Sequence, residues 1–277
     1  SAASDVYKRQ IDKIPTENSE AYIYFLKGRE YDRYWSSGSY SEMALEMYEK
    51  AVSIDPGFAE AWAHICRLRV YLMNLGHLGR EELADAKVAV DIALSLDAES
   101  MLPQISLGYY YYNGFRDYDR ALRHFERAKA INPGAWEGIY GSALVMRRMG
   151  MWDTSLAGFE KALELDPLNW NIRLDLTYSL IYERDFDEAE RSSRKLIELD
   201  PGVAESYALL INVYLGMDGD TARASEIMRG ALRKCSFEDL TTSYEEHDYI
   251  RPLIAGNEGI FSQILDIHHS ELSLIHI

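Results

Sequence analysis

Cysteine is scarce in this 277-residue chain: Cys66 and Cys235 lie far apart and form no C-x-x-C pair. That spacing gives neither a disulfide framework nor a zinc site, and two lone thiols fit a reducing, cytoplasmic setting. Positive charge is also in deficit. Against 45 Asp and Glu stand only 29 Lys and Arg, a formal charge of −16. A phosphate backbone is gripped by excess cation, so nucleic acid is excluded as a non-specific partner, which leaves a protein or peptide that is neutral, basic or apolar. No apolar run approaches the roughly 20 residues that cross a bilayer, so no membrane partner is expected. The chain also lacks a G-x-S-x-G elbow, a phosphate-cradling glycine loop and an H-E-x-x-H pair. The usual nucleophile, nucleotide and zinc arrangements are therefore without their defining residues, and neither enzymatic activity nor a cofactor is expected.

What is present is repetition. A hydrophobic content of 47% is enough for a continuous core. Asn-Pro-Gly at 132–134, Asp-Pro-Leu at 166–168 and Asp-Pro-Gly at 200–202 are spaced by 34 residues. Twelve residues before each proline sits a small residue, Ala121, Ser155 or Ala189, and the same frame reaches Ala44, Ala86 and Ala224. Six units follow. The second helix of a unit reads small, large, small, as in Ala44-x3-Tyr48-x2-Ala51 and Ala121-x3-Phe125-x2-Ala128. On one helical face this pattern lets two helices approach while the large side chain fills the gap between them. The first helix is marked by Trp62-x2-Ile65-Cys66, Leu107-Gly108-x2-Tyr111 and Tyr207-x2-Leu210-Ile211-x2-Tyr214. Asp117 and Asp185 stand where an N-cap closes the turn into the second helix, and proline stops the outgoing helix.

Period and internal pattern together resemble the tetratricopeptide repeat over about residues 20–236. The resemblance implies an all-α, right-handed α-solenoid of about six helix-turn-helix repeats, turning near residues 38, 78, 116, 151, 185 and 219. Departures are local. Gly38-Ser39-Tyr40 is one residue out of step, and the second unit is eight residues longer around 74–79, which implies helices extended by a turn or two. Ser155, Ser193 and Leu196 replace the usual small or aromatic residues.

The domain layout follows from the same frame. Residues 1–10 and 272–277 resemble translated sequencing-adapter read-through and are set aside as non-native tails. The array spans 11–236. Residues 237–271 read as capping helices, with Ile260, Phe261, Ile264, Leu265 and His268 on one face, because a solenoid needs a polar end over its last repeat. Residues 14–22 and 250–261 resemble the opening and closing segments of repeat arrays appended to bacterial signalling proteins, beside cyclase, kinase or winged-helix domains. Two functions from different classes are therefore carried: a non-catalytic protein-binding scaffold, and the sensory or regulatory arm of a multidomain signalling protein.

In this family the first helices line a concave groove. The repeat frame places Tyr109, Tyr112, Tyr140, Tyr178 and Tyr182 there, with Arg147 and Arg148, an arrangement suited to peptide recognition. The alternative for each ring is packing between helices. Family members that hold chaperone C-termini use a Lys and Asn clamp; the corresponding positions here are Ile105, Tyr109, Tyr140, Leu144, Leu174 and Tyr178, so that role is disfavoured. The metal candidate Asp266-x-His268-His269-x-Glu271 fails on geometry, since adjacent histidines point about 100° apart on a helix. Glu245-Glu246-His247-Asp248 reads as a solvated face. Deleting residues 1–10 and 272–277 is expected to leave the thermal unfolding midpoint unchanged, and a large drop in that midpoint would show that the tails belong to the fold.

Overall fold

The computed structural model describes residues 15–33, 38–217, 219–231 and 233–235. Among them lie twelve α-helices and no strand: α1 Ser19–Asp32, α2 Gly38–Ile54, α3 Ala59–Leu75, α4 Glu82–Leu96, α5 Met101–Phe115, α6 Tyr118–Ile131, α7 Trp136–Arg148, α8 Trp152–Leu165, α9 Trp170–Tyr182, α10 Phe186–Leu199, α11 Ala204–Met217 and α12 Thr221–Ala231. Consecutive helices pack as six antiparallel pairs, each turning where the repeat frame expected it. The chain divides between Leu165 and Asp166 into two compact units. The first holds α1 to α8 and the second α9 to α12.

The small slots are the seams of the pairs. Ala44, Ala86, Ala121, Ser155, Ala189 and Ala224 are all buried, and so are the residues four and seven positions further on. In the third pair this becomes a sandwich. A methyl added to Gly108 on α5 would come within 2.4 Å of the Phe125 ring on α6, and one added to Gly141 on α7 would come equally close to the same ring. Phe125 is thus clamped between its own partner helix and the first helix of the next pair, where burial of such a side chain stabilises by about 1.5–3 kcal/mol. Serine in a small slot, Ser155, or in a large one, Ser193, does not break the pattern, because each returns its hydroxyl to a backbone carbonyl: Ser155 to Ala143 at 2.9 Å and Ser193 to Ala189 at 2.7 Å.

Turn chemistry repeats as regularly as the core. Asp117, Asp185 and Asp220 accept the amides of Arg120, Glu188 and Arg223 at 2.9–3.2 Å, capping the second helix of three pairs. The residue that leaves the first helix adopts a left-handed conformation: Gly76, Gly150 and Gly219, but also Arg116 at φ 53° and Arg184 at φ 62°. Between pairs, Asp55, Asn132 and Asp200 each accept the amide of the glycine after the proline at 2.9–3.2 Å. These side chains hold the chain in the turn that proline begins.

One departure resolves differently from its expectation. The eight extra residues of the second unit lengthen α3 to 17 residues, yet α4 stays at 15. The connection between Leu75 and Glu82 takes the rest, because Gly76 ends α3 in a left-handed cap whose neighbour His77 donates back to the Leu72 carbonyl at 3.0 Å. The stretches 237–271, 245–248 and 266–271 discussed above lie outside the described residues.

Replacing Ala121 with Trp is expected to unfold the first unit or nearly so, since no side chain around that slot can yield enough room. The milder Gly141→Ala should cost about 1–3 kcal/mol by forcing Phe125 off its rotamer. Chemical denaturation of both variants checks this, and wild-type stability in either would place the slot on the surface.

Candidate functional site

Five of the seven expected residues belong to the first unit. Tyr109 and Tyr112 lie on α5, and Tyr140, Arg147 and Arg148 on α7. The half-buried Tyr109 meets Phe125 edge-on, with centroids 5.2 Å apart, so its ring rests on the clamped core residue. Tyr112 is also half-buried, and its hydroxyl accepts from Arg148 Nε at 3.2 Å. This bond ties an exposed guanidinium on one first helix to a tyrosine on the preceding one. Arg147 lies over the Phe159 ring at 5.5 Å, a cation–π contact that holds it against the pair.

Tyr140 corrects the sequence reading. It was expected on the exposed wall, but it is only 2% accessible. Its ring packs against Phe159 of α8 and Trp136 of α7, each 5.9 Å away, because α7 turns this position toward its partner helix. Ile105, Leu144 and Leu174, three of the positions where a carboxylate clamp would sit, are likewise buried.

Tyr178 and Tyr182 lie on α9 in the second unit and form a separate group. The Tyr178 hydroxyl donates to Glu205 Oε1 on α11 at 2.7 Å, and its ring packs against Leu174, Leu196 and Leu209. Burial first, and then the Glu205 charge, pushes the phenol well above its ordinary value; it stays a neutral hydrogen-bond donor. Tyr182 is exposed.

Sequence reasoning missed a polar cluster in the first two pairs. Asp32 ends α1 with a side chain only 10% exposed, and its Oδ2 pairs with Arg67 of α3. The same oxygen accepts from the Tyr48 hydroxyl of α2 at 3.2 Å, and His64 Nδ1 lies 3.4 Å away. The His64 ring stacks on Tyr48 with centroids 4.7 Å apart. Burial opposes ionisation of Asp32, but the Arg67 and His64 contacts outweigh it and hold the carboxyl below the usual carboxylate range. Three helices are thereby joined through one carboxylate. In sequence Asp32 reads as one more solvated charge at a helix end; only its spatial partners distinguish it. Close by, Arg69 pairs with Glu82 and lies 2.6 Å from Glu49 and 3.6 Å from Asp85.

Other chemistry is sparse. Cys66 and Cys235 are both buried thiols, and burial raises the Cys66 thiol so that it stays protonated. Among the described residues, no group of three or more His, Cys, Asp or Glu side chains could hold a metal ion, and no helix is long and apolar enough to cross a membrane.

With this geometry in place, comparison with solved structures is direct. TTC0263, a thermophilic tetratricopeptide protein of Thermus thermophilus, superposes with a TM-score of 0.58 at 18% identity, covering 70% of this chain and 99% of that one. The fold is that of the tetratricopeptide repeat. PilW, a type IV pilus biogenesis factor, matches with a TM-score of 0.57 at 17% identity over 81% of this chain and 98% of its own. A chain of the APC/C hetero-tetramer Cut9–Hcn1 matches with a TM-score of 0.56 at 16% identity, over 82% of this chain and 46% of its own. By sequence, the chain is 25% identical over 174 residues to anaphase-promoting complex subunit 3 of Schizosaccharomyces pombe and spans about a quarter of that protein's length. No protein-family model matches the chain.

The buried Asp32 gives a signed pH prediction. Its folded-state pKa lies below the unfolded value, so its stabilisation is present in full above roughly pH 4 and is lost as pH falls through the lower, folded value. Asp32→Asn should flatten this acid limb of the unfolding midpoint. It should also cost about 3–5 kcal/mol at neutral pH by leaving Arg67 without its counter-charge. An unaltered acid limb would show that Asp32 is not ionised in the fold.

Proposed function

We propose that this tetratricopeptide array is a non-catalytic scaffold that binds a segment of another protein across its first helices, with Tyr109, Tyr112, Arg147 and Arg148 as the contact residues of the first unit. The supporting observation is the bond from Arg148 to the Tyr112 hydroxyl. It holds a guanidinium and an aromatic ring together on neighbouring first helices, so little rotamer freedom is left to lose on binding. Tyrosine supplies wide amphipathic contact at low entropic cost, and arginine beside it orients a polar group. Tyr140 is buried and is not a contact residue. Tyr178 and Tyr182 make a second contact candidate on α9.

The partner segment on this face is neutral, basic or apolar overall, in keeping with the chain's charge of −16, and the setting is cytoplasmic. A chain of the Cut9–Hcn1 hetero-tetramer shares the fold; that precedent favours a scaffold over a catalyst. The regulatory-arm alternative rests on resemblances at residues 14–22 and 250–261, and it is tested by the coding sequence upstream of Ile11, where a cyclase, kinase or winged-helix domain would establish it.

The scaffold reading is tested on peptides selected from a random display library against the wild-type chain. In the double variant Tyr109→Ala and Tyr112→Ala, affinity for the selected peptide should fall by about 2 kcal/mol or more, with most of the folding stability kept. A folded double variant with undiminished affinity would remove this face from consideration. If the variant instead loses several kcal/mol of stability by cavity formation, both rings are core.

A further inference from the structure

Most cations of the second helices are paired with a nearby carboxylate, and Arg123 and Arg127 of α6, like Arg229 of α12, are exposed without such a pair among the described residues. Lys50 on α2 meets Glu46, Lys87 on α4 meets Asp91, and Lys161 on α8 meets Glu164. On α10, Arg191, Arg194 and Lys195 meet Glu188, Glu190 and Glu198. On α6, Arg120 pairs with Asp117 at 3.2 Å and Lys129 with Glu126 at 2.8 Å. Arg123 and Arg127 are exposed, with no carboxylate at ion-pair distance among the described residues. Arg116, exposed in the preceding turn, extends the series to a spacing of four, three and four residues.

At 100° per residue, Arg120, Arg123 and Arg127 fall within about 60° of one another, away from the face on which Ala121, Phe125 and Ala128 enter the core. Arg120 is tied to Asp117 and lies 5.3 Å over the Tyr111 ring, but folding gains little from Arg123 and Arg127. Like charges one turn apart on a helix repel, and Arg120 in the first turn also opposes the positive end of the helix dipole. The half-buried His124 between them is held in its neutral form first by burial and then by the charges of Arg123 and Arg127. The helix therefore carries four cations against Asp119 and Glu126, a surplus of two positive charges.

We propose that this arginine ridge on α6 docks an acidic α-helix of a partner protein, with carboxylates one turn apart facing Arg120, Arg123 and Arg127. Seven helical residues from Arg120 to Arg127 rise about 10 Å, two turns, so carboxylates at i, i+4 and i+7 of a facing helix fall in register. The planar fork of arginine takes a carboxylate through two parallel hydrogen bonds, which a lysine ammonium cannot do. Long polyanions are disfavoured, because a polyphosphate or an anionic bilayer meets many carboxylates of a chain whose net charge is −16. A short acidic helix meets the ridge with only Asp117, Asp119 and Glu126 near it, and the remaining charge is screened beyond about 8 Å at physiological salt. The ridge uses none of the contact residues proposed for the first helices.

The probe is a fluorescent alanine-based helical peptide with Glu at i, i+4 and i+7, set against a twin carrying Gln at those positions; binding to the full chain is read by anisotropy at low and physiological salt. The Glu peptide should bind at least tenfold tighter than its twin, and the preference should shrink as salt rises. The double variant Arg123→Gln and Arg127→Gln should lose the preference while its unfolding midpoint stays level or rises, since a repulsion has been removed. The Tyr109→Ala, Tyr112→Ala variant should keep the preference, which separates this surface from the first-helix face. Four results would overturn the proposal: equal or no binding of the two peptides, a preference that survives the arginine double variant, a lowered midpoint in that variant, or tighter binding of a single-stranded oligonucleotide or a phosphatidylserine vesicle than of the Glu peptide.

Discussion

Close helix approach through small residues is the constraint on which the rest of this structure depends. Where Phe125 sits between Gly108 and Gly141, the separation of three helices is set by the thickness of one ring. Every other feature is registered to that separation. The caps at Asp117 and Asp185 fix where the second helices begin, the Asx turns at Asp55, Asn132 and Asp200 fix where pairs end, and both are short because the helices they join are already close. Small slots cannot be enlarged singly, since interiors packed at crystal-like density transmit strain to their neighbours.

Charge is organised around the same spacing. Helices this close leave room for few buried polar groups, and in the first two pairs one set converges on the Asp32 carboxylate, shared by Arg67 and Tyr48 with His64 beside it. A carboxylate in such a place is stable only as one member of a matched set, so it specifies which helices meet. On solvated faces the rule is pairing within a helix, a few tenths of a kcal/mol at a time. Arg123 and Arg127 of α6 depart from that rule, as does Arg229 of α12.

The aromatic face shows how packing and recognition share residues. Tyr109 rests on Phe125 and Tyr112 holds Arg148, so the surface proposed for binding grows directly from the core. Tyr140 lies one step further in. Its ring is immersed between Trp136 and Phe159.

The sequence by itself determined the repeat: its period, the six helix pairs, the positions of their turns and the identity of the small slots. These follow from local rules, because a proline, an N-cap and a small residue act on the chain within one helical turn of themselves. Only the tertiary structure decided which tyrosines face outward. Tyr140 and Tyr109 both occupy first helices, and a small rotation about the helix axis, set by contacts with the partner helix, separates a buried ring from a half-exposed one. The same holds for charge. Asp32 and Glu30 lie two residues apart on α1, yet Asp32 is buried against Arg67 while Glu30 remains in solvent 3.8 Å from Arg33, because the partners that distinguish them come from helices far along the chain.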